Sequence, residues 1–570
     1  MLDLIIRGAD VIDGTGASRR QADIGIRDGR IATIGAVDES ATRIIDADGL
    51  VVAPGVVDIH THYDAQVLWD PAVTPSPFHG VTTVIGGNCG FTIAPIEPSE
   101  VDYLTRMLSR VEGMPLESLL AGVSYDWRSF GEYLDHIDNT LAINAGFLVG
   151  HCAIRRVAMG QDAVGNAASP EQIDAMRRIL GESLSAGGLG FSSSHAATHN
   201  DGNGDPVPSR SATFEEMIAL AEVTGEYPGT TLEFIPAVGS FDENHMALMA
   251  NMSRAANRPL NWNVLIPSAQ RADAAWNMLR ASDYAAERGG KVLALTLPDV
   301  MRTHLTLKAG FLFDALPGWS KPMALGVDEK IALLRQPAER KRLYDGAMSP
   351  EAGVMRGIAR WEHMTIIETF SPANIGLAGR MVGDIAAERD QEPFDAFCEI
   401  SIADDLQTVF MPPLPGDDQE TWELRRDIWR DPRSVIGASD AGAHLDMLST
   451  FNFSTSMLQA CRERNLLPLE EAIHYLTDQP ARIYGLRDRG RVQQGWWADL
   501  MIFDEDQVGP GPISWRKDLP AGAGRLYGEA VGVEHVLANG VEIVRRNELT
   551  GENGGTLLRS GRDTDTVTID

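Results

Sequence analysis

Two histidines separated by a single residue close an apolar run in Val57-Asp58-Ile59-His60-Thr61-His62. Residues two apart in an extended strand point to the same side, so both imidazoles face one way and can share a metal ion. Gly86-Gly87-Asn88-Cys89-Gly90 follows a second apolar run, and its glycines allow a tight turn that presents the Cys89 sulfur. Gly437-Ala438-Ser439-Asp440-Ala441 ends a third run and offers a carboxylate that binds metal and exchanges a proton with water. Each motif alone has a plainer reading. An isolated His-x-His is commonly incidental, a cysteine after a strand is commonly a small buried hydrophobe, and Ser-Asp commonly caps a helix. Occurring jointly at strand ends, the three are far more specific than any one.

The elements that must position them are eight strand-like runs alternating with helical stretches: GVVDIHTH, TTVIGGN, INAGFLVGH, GLGFSSS, TTLEFIP, LNWNVLI, KVLALTL and SVIGASDA. This alternation predicts an α/β fold with a (β/α)8 TIM-type barrel, whose sites assemble at the C-terminal ends of the strands. The three motifs end the first, second and eighth strands, which become neighbours when such a barrel closes. Thr213, with Glu216 three residues on, predicts a capped helix over FEEMIALAEV. Residues 1–50 and 489–549 carry short β-runs with Gly and Asp turns, as expected for two halves of one small β-sandwich flanking a barrel over 51–488. An insertion near 298–365 is expected over the catalytic face as a lid, and 550–570 as a solvated polar extension or a subunit-contact arm. Trp262, Trp319, Trp361 and Trp422 read as core.

The chain has 570 residues, 44% of them hydrophobic, enough to bury a large core and more than one structural unit. A net charge of -31 disfavours nucleic acid and anionic membrane surfaces as partners, leaving a small-molecule substrate and a possible homo-oligomer. The amino terminus lacks the pattern of an export signal, no long apolar stretch is evident, and four widely spaced cysteines make no disulfide framework, so a cytoplasmic location is expected. No phosphate-binding glycine loop and no GxSxG elbow is present, which weakens nucleotide-dependent and serine-hydrolase chemistry.

With these motifs the sequence resembles the amidohydrolase superfamily, and in particular its D-aminoacylase branch, the N-acyl-D-amino-acid deacylases, over nearly the whole chain. The resemblance assigns His60, His62, Cys89 and Asp440 to a metal site; Gly150-His151 with Arg155 resembles the family's GHxxxR segment, and 188–193 its GLGFS segment. The departures lie in strands five and six, where the family carries histidines in THxR- and SHLK-like segments and this chain reads Thr231-Leu232-Glu233-Phe234 and Trp262-Asn263-Val264-Leu265. Glu233 offers an oxygen ligand in place of one histidine, and Asn263 stands at the other position. The lysine that in the family helps hold the substrate carboxylate has no equivalent, with Arg155, Arg302 and Lys308 as candidate replacements. His195, His199, His304 and His444 lie at loop positions, and His195, His444, Arg302 and Asn263 are the expected substrate-binding residues.

A catalytic zinc needs only about three protein ligands plus water, so the donor set suits one or two Zn2+ ions or another divalent metal. The implied reaction is hydrolysis of an amide C–N bond in an N-acyl-D-amino acid or related N-acyl amine, with Asp440 taking a proton from the attacking water and delivering it to the departing nitrogen. Two rivals stand beside it: a cyclic-amide, carbamate or ester hydrolase of the same superfamily, and a degenerate barrel that binds a ligand without turning it over. The cyclic-amide enzymes usually use a carboxylated lysine after strand four, and GLGFSSSH has none.

Overall fold

The computed structural model describes residues 1–413 and 416–569. All eight apolar runs are strands: Val56–Asp58, Val81–Gly86, a third split into Asn144–Phe147 and Val149–Gly150, then Gly190–Ser194, Thr231–Ile235, Leu260–Leu265, Val292–Thr296 and Ser434–Ile436. Their neighbours are parallel and follow chain order, in one block of three strands and one of six. The split third run belongs to both blocks, pairing with the second strand before Leu148 and with the fourth after it. At the other edge a parallel bridge joins Thr61, just past the first strand, to Ala441, just past the eighth. Fully buried apolar runs are what parallel strands covered on both faces require.

Helices fill the connections. The helix expected after Thr213 spans Phe214–Gly225, and the Thr213 hydroxyl accepts the Glu216 amide at 3.3 Å. The reciprocal half of a capping box is absent because the Glu216 carboxylate is taken by His151 and Arg155.

The segment between the seventh and eighth strands is longer than the expected 298–365: it runs from Thr296 to Ser434. It has its own core, in which Trp319 and Trp361 stack at 5.8 Å beside Phe313, Phe394 and Phe397. Its second half, with the helices Val382–Glu388 and Pro393–Ala403, has the same amphipathic pattern as the helices between the parallel strands, which conceals it in the sequence.

Both ends of the chain share one nine-stranded sheet, joined where Leu500–Phe503 pairs antiparallel with Val51–Pro54. The expected solvated tail is a correction: Leu557 and Leu558 are buried, the Leu558 amide donates to the Ala145 carbonyl at 2.7 Å, and the Thr564 hydroxyl donates to that of Gly229 at 2.7 Å. Beside the two leucines, Arg559 docks it by donating to the Ala186 carbonyl and to Asp135, each at 2.7 Å. Among the described residues no helix is long and apolar enough to cross a membrane.

Candidate metal centre

His60 and His62 extend from the first strand with their ring centroids 5.3 Å apart, on one side as their spacing requires. The loop after the eighth strand is laced to them: the Asp440 amide donates to the His60 carbonyl at 3.2 Å, and the His62 amide to that of Ala441 at 2.8 Å. These bonds bring an Asp440 carboxylate oxygen to 3.1 Å from His62 Nε2 and 3.5 Å from His60 Nε2.

Cys89 arrives from the turn after the second strand. Gly87 sits at φ +74°, where a Cβ would lie 2.2 Å from the Leu148 carbonyl oxygen, so only glycine fits. Asn88 Nδ2 donates to the carbonyls of Thr61 and Ile85, and Ser192 Oγ accepts the Gly90 amide while donating to the Gly87 carbonyl. The turn holds Cys89 Sγ 3.6 Å from His60 Nε2, and His60, His62 and Cys89 each offer a donor atom within 4.8 Å of the others.

These groups face a narrow cavity of about 70 Å3, whose wall also includes Glu112, His199, Asn263 and His444. Four non-glycine residues on it hold positive φ: Cys89 at 56°, Ala438 at 61°, Asp440 at 56° and His444 at 48°. Such backbone costs about 1–3 kcal/mol per residue and persists where its surroundings over-determine it, as at binding sites.

The remaining expected site residues divide. Asn263 lies on the wall and donates to Cys89 Sγ at 3.3 Å; His444 stacks against Phe311 of the insertion at 4.2 Å. Glu233 stands behind the turn, one carboxylate oxygen accepting the Cys89 amide at 2.8 Å and the other buried without a partner. His195 is off the wall and packs edge-on to Phe234, and Arg302 is also off it, beside Asp299 and Asp417. Arg155 is no substrate cation either, because it is fully buried on Glu216, and Lys308 is exposed away from the wall.

Two titratable wall residues stand outside the expected metal and substrate-binding set. Glu112 Oε1 lies 3.3 Å from His62 Nδ1, the ring nitrogen opposite the one facing Asp440. It follows the Val101–Val111 helix in a stretch, RVEGMP, that carries no motif. His199, four residues past His195, turns into the cavity with its Nδ1 2.7 Å from Ser194 Oγ. Ser194 Oγ also accepts the Ala196 amide at 3.1 Å, which fixes the hydroxyl that meets His199.

The electrostatics are those of a site short of positive charge. Burial pushes Glu112 and Glu233 each up to about 8 and Asp58 up to about 7, and burial with Glu233 beside it drives the Cys89 thiol well above its usual range. Burial opposes charge on His62, but Glu112 and Asp440 overcome it and push the imidazole up to about 9. Asp440 is half-buried, which opposes its charge, but contacts from His60 and His62 hold it well below the usual carboxylate range. A divalent cation fits this set: imidazole, thiolate and carboxylate donors converge, and Glu112 is placed to orient His62 through its far nitrogen.

A family model for the amidohydrolase family matches residues 43–543. The chain is 28% identical to the D-aminoacylase of Alcaligenes xylosoxydans xylosoxydans over 563 residues, 98% of this chain and 97% of that one. Its fold superposes on the N-acyl-D-glutamate deacylase of Bordetella bronchiseptica, solved with zinc and a phosphonate mimic of the tetrahedral intermediate, with a TM-score of 0.67 and 26% identity over 98% of this chain and 100% of that one. A D-aminoacylase structure with a binuclear metal centre gives a TM-score of 0.66 at 25% identity, over 98% of this chain and 100% of that one.

Proposed function

The chain belongs to the amidohydrolase family, and on that premise we propose that it is a metal-dependent deacylase that hydrolyses the amide C–N bond of an N-acyl-D-amino acid or a related N-acyl amine. The observation that carries this reading is the convergence of His60, His62, Cys89 and Asp440, from three separate strand ends, on one cavity. The same reading has the two parallel blocks close as a (β/α)8 barrel, supported by the Thr61–Ala441 bridge and the 2.9 Å bond from the Leu148 amide to the Gly86 carbonyl. It has the terminal sheet fold as a small β-sandwich, supported by an apolar core shared by Ile6, Ile24, Val52, Leu500 and Leu537.

His60, His62, Cys89 and Asp440 are the residues that would hold the metal, with Glu233 fixing Cys89 from behind through its amide and Asn263 fixing its sulfur from the cavity wall. When bound, a divalent cation such as zinc acidifies water and polarises the substrate carbonyl. Asp440, kept ionised by its imidazole neighbours, accepts a proton from the attacking water and returns it to the nitrogen as the C–N bond breaks, so an acid and a free amine leave. His199 and His444 face the cavity as groups that hold the acyl substrate. Zinc-reconstituted protein incubated with N-acyl-D-amino acids, their L-enantiomers and neutral N-acyl amines, with free amine measured, tests this reading. Release from any D- or neutral substrate is expected; no release from any of them by metal-loaded protein would overturn it.

A further inference from the structure

The reacting cavity is built of imidazoles, carboxylates and apolar side chains, and among its wall residues there is no lysine or arginine. Its apolar part is Val111, Ile235, Val264, Met301 and Ala438; its acidic part is Glu112 and Asp440. The arginines on the segments bounding it are engaged elsewhere. Arg110, next to Val111, reaches away to Asp314 at 2.9 Å and to the Ala309 carbonyl. Arg210 donates to the His199 carbonyl at 3.1 Å and Asn200 Oδ1 at 2.8 Å. Arg302, next to Met301, sits 3.7 Å from Asp299 and 3.4 Å from Asp417. Arg525 lies behind Asp440, off this cavity, on Asp518 at 2.9 Å and the Thr74 carbonyl at 2.6 Å.

An anionic group on the amine half, set beside the scissile bond, would therefore meet this apolar wall and find no lysine or arginine on it to pair with. Removing a charge from water without a partner is unfavourable, whereas an alkyl group gains from the same apolar wall. Resting on the deacylase reading, we propose that the amine half of the preferred substrate carries no carboxylate: the substrate class is a neutral N-acyl alkylamine or a carboxyl-blocked N-acyl amino acid, not an N-acyl amino acid anion. The apolar residues select the chain on nitrogen, and the absence of a lysine or arginine from the wall is the specificity determinant.

The test uses zinc-loaded full-length protein and three substrates that differ at one position: N-acetyl-D-leucine, N-acetyl-D-leucinamide and N-acetylisopentylamine, the last lacking the carboxyl group altogether. Free amine release is expected with kcat/KM about a hundredfold higher for the two neutral compounds than for the acid. N-acetyl-D-leucine should also inhibit turnover of the neutral pair with a Ki well above their KM, which reads binding apart from chemistry. Met301→Lys, which sets a cation on the wall, should raise kcat/KM for the acid about tenfold relative to the neutral pair. An acid hydrolysed as well as or better than its neutral partners would overturn the proposal while leaving the deacylase reading intact. No amine from any of the three would overturn both.

Discussion

Replacing Glu216 by glutamine tests how the fold holds the turn that presents Cys89. Glu216, His151 and Arg155 are all fully buried; the carboxylate lies 2.8 Å from His151 Nε2 and 2.5 Å from Arg155 Nη1. His151 in turn meets Ser193 Oγ at 2.8 Å, and the Ser193 backbone packs directly beneath Gly90. Glutamine keeps the shape and one acceptor but leaves the Arg155 guanidinium without a counter-charge, and removing one partner of a buried pair costs about 3–5 kcal/mol. The thermal midpoint should fall by roughly 3–4 °C, the small shift expected of a chain this long. The double variant Arg155→Leu/Glu216→Leu, with neither charge, should recover part of that loss. Burial raises the Glu216 pKa, but His151 and Arg155 outweigh it and the net shift is downward from 4.5. A carboxylate with a depressed folded-state pKa stabilises above its unfolded value and loses that contribution as pH falls through the folded one, so the wild-type advantage over Glu216→Gln should hold at neutral pH, begin to shrink as pH falls below about 4.3 and be lost only beneath the folded-state pKa. Differential scanning calorimetry of the variants across pH measures both effects. A glutamine variant within about 1 kcal/mol of wild type at neutral pH would refute the assignment of this trio as a brace.

Three further outcomes follow from the centre itself. Asp440→Asn should keep the thermal midpoint and the circular dichroism spectrum but lose about 10²–10⁴-fold in kcat, and a near-wild-type rate would remove Asp440 as the proton carrier. Cys89→Ser should weaken zinc at least roughly tenfold in a chelator-competition titration, and an unchanged affinity would take the thiolate out of the donor set. Gly87→Ala drives a Cβ to 2.2 Å from the Leu148 carbonyl oxygen at a φ of +74°, so it should destabilise by about 2–4 kcal/mol and lower zinc occupancy; equal stability in urea unfolding would contradict the close packing of that turn.

Much of this centre is legible in the sequence because strand ends are legible. An apolar run fixes where a strand stops, and His60, His62, Cys89 and Asp440 each lie within a few residues of such a stop. What a strand end does not reveal is which way its loop then turns. His195 lies directly after the fourth strand yet packs on Phe234, whereas His199, four residues on, enters the cavity because Ser194 holds its Nδ1. Glu112 reaches His62 from a helix terminus whose sequence carries no periodic or motif signal, so only the packed structure brings the two together. Arg302 shows the converse. Its neighbour Met301 faces the site, but the acidic partners that draw the arginine aside, Asp299 and Asp417, are 118 residues apart in the chain. The insertion was half visible for a similar reason, since its later helices bury one face against its own core rather than against the parallel strands.

The most direct test of a zinc-dependent deacylase built on His60, His62, Cys89 and Asp440 is a titration of chelator-stripped protein with zinc, following free amine release and bound metal in the same samples. Activity absent from the stripped protein, rising with zinc until the site saturates and failing to rise in the His60→Ala/His62→Ala variant, is the expected result. Equal turnover by stripped and loaded protein, or saturation with zinc and no amine from any N-acyl substrate, would contradict it.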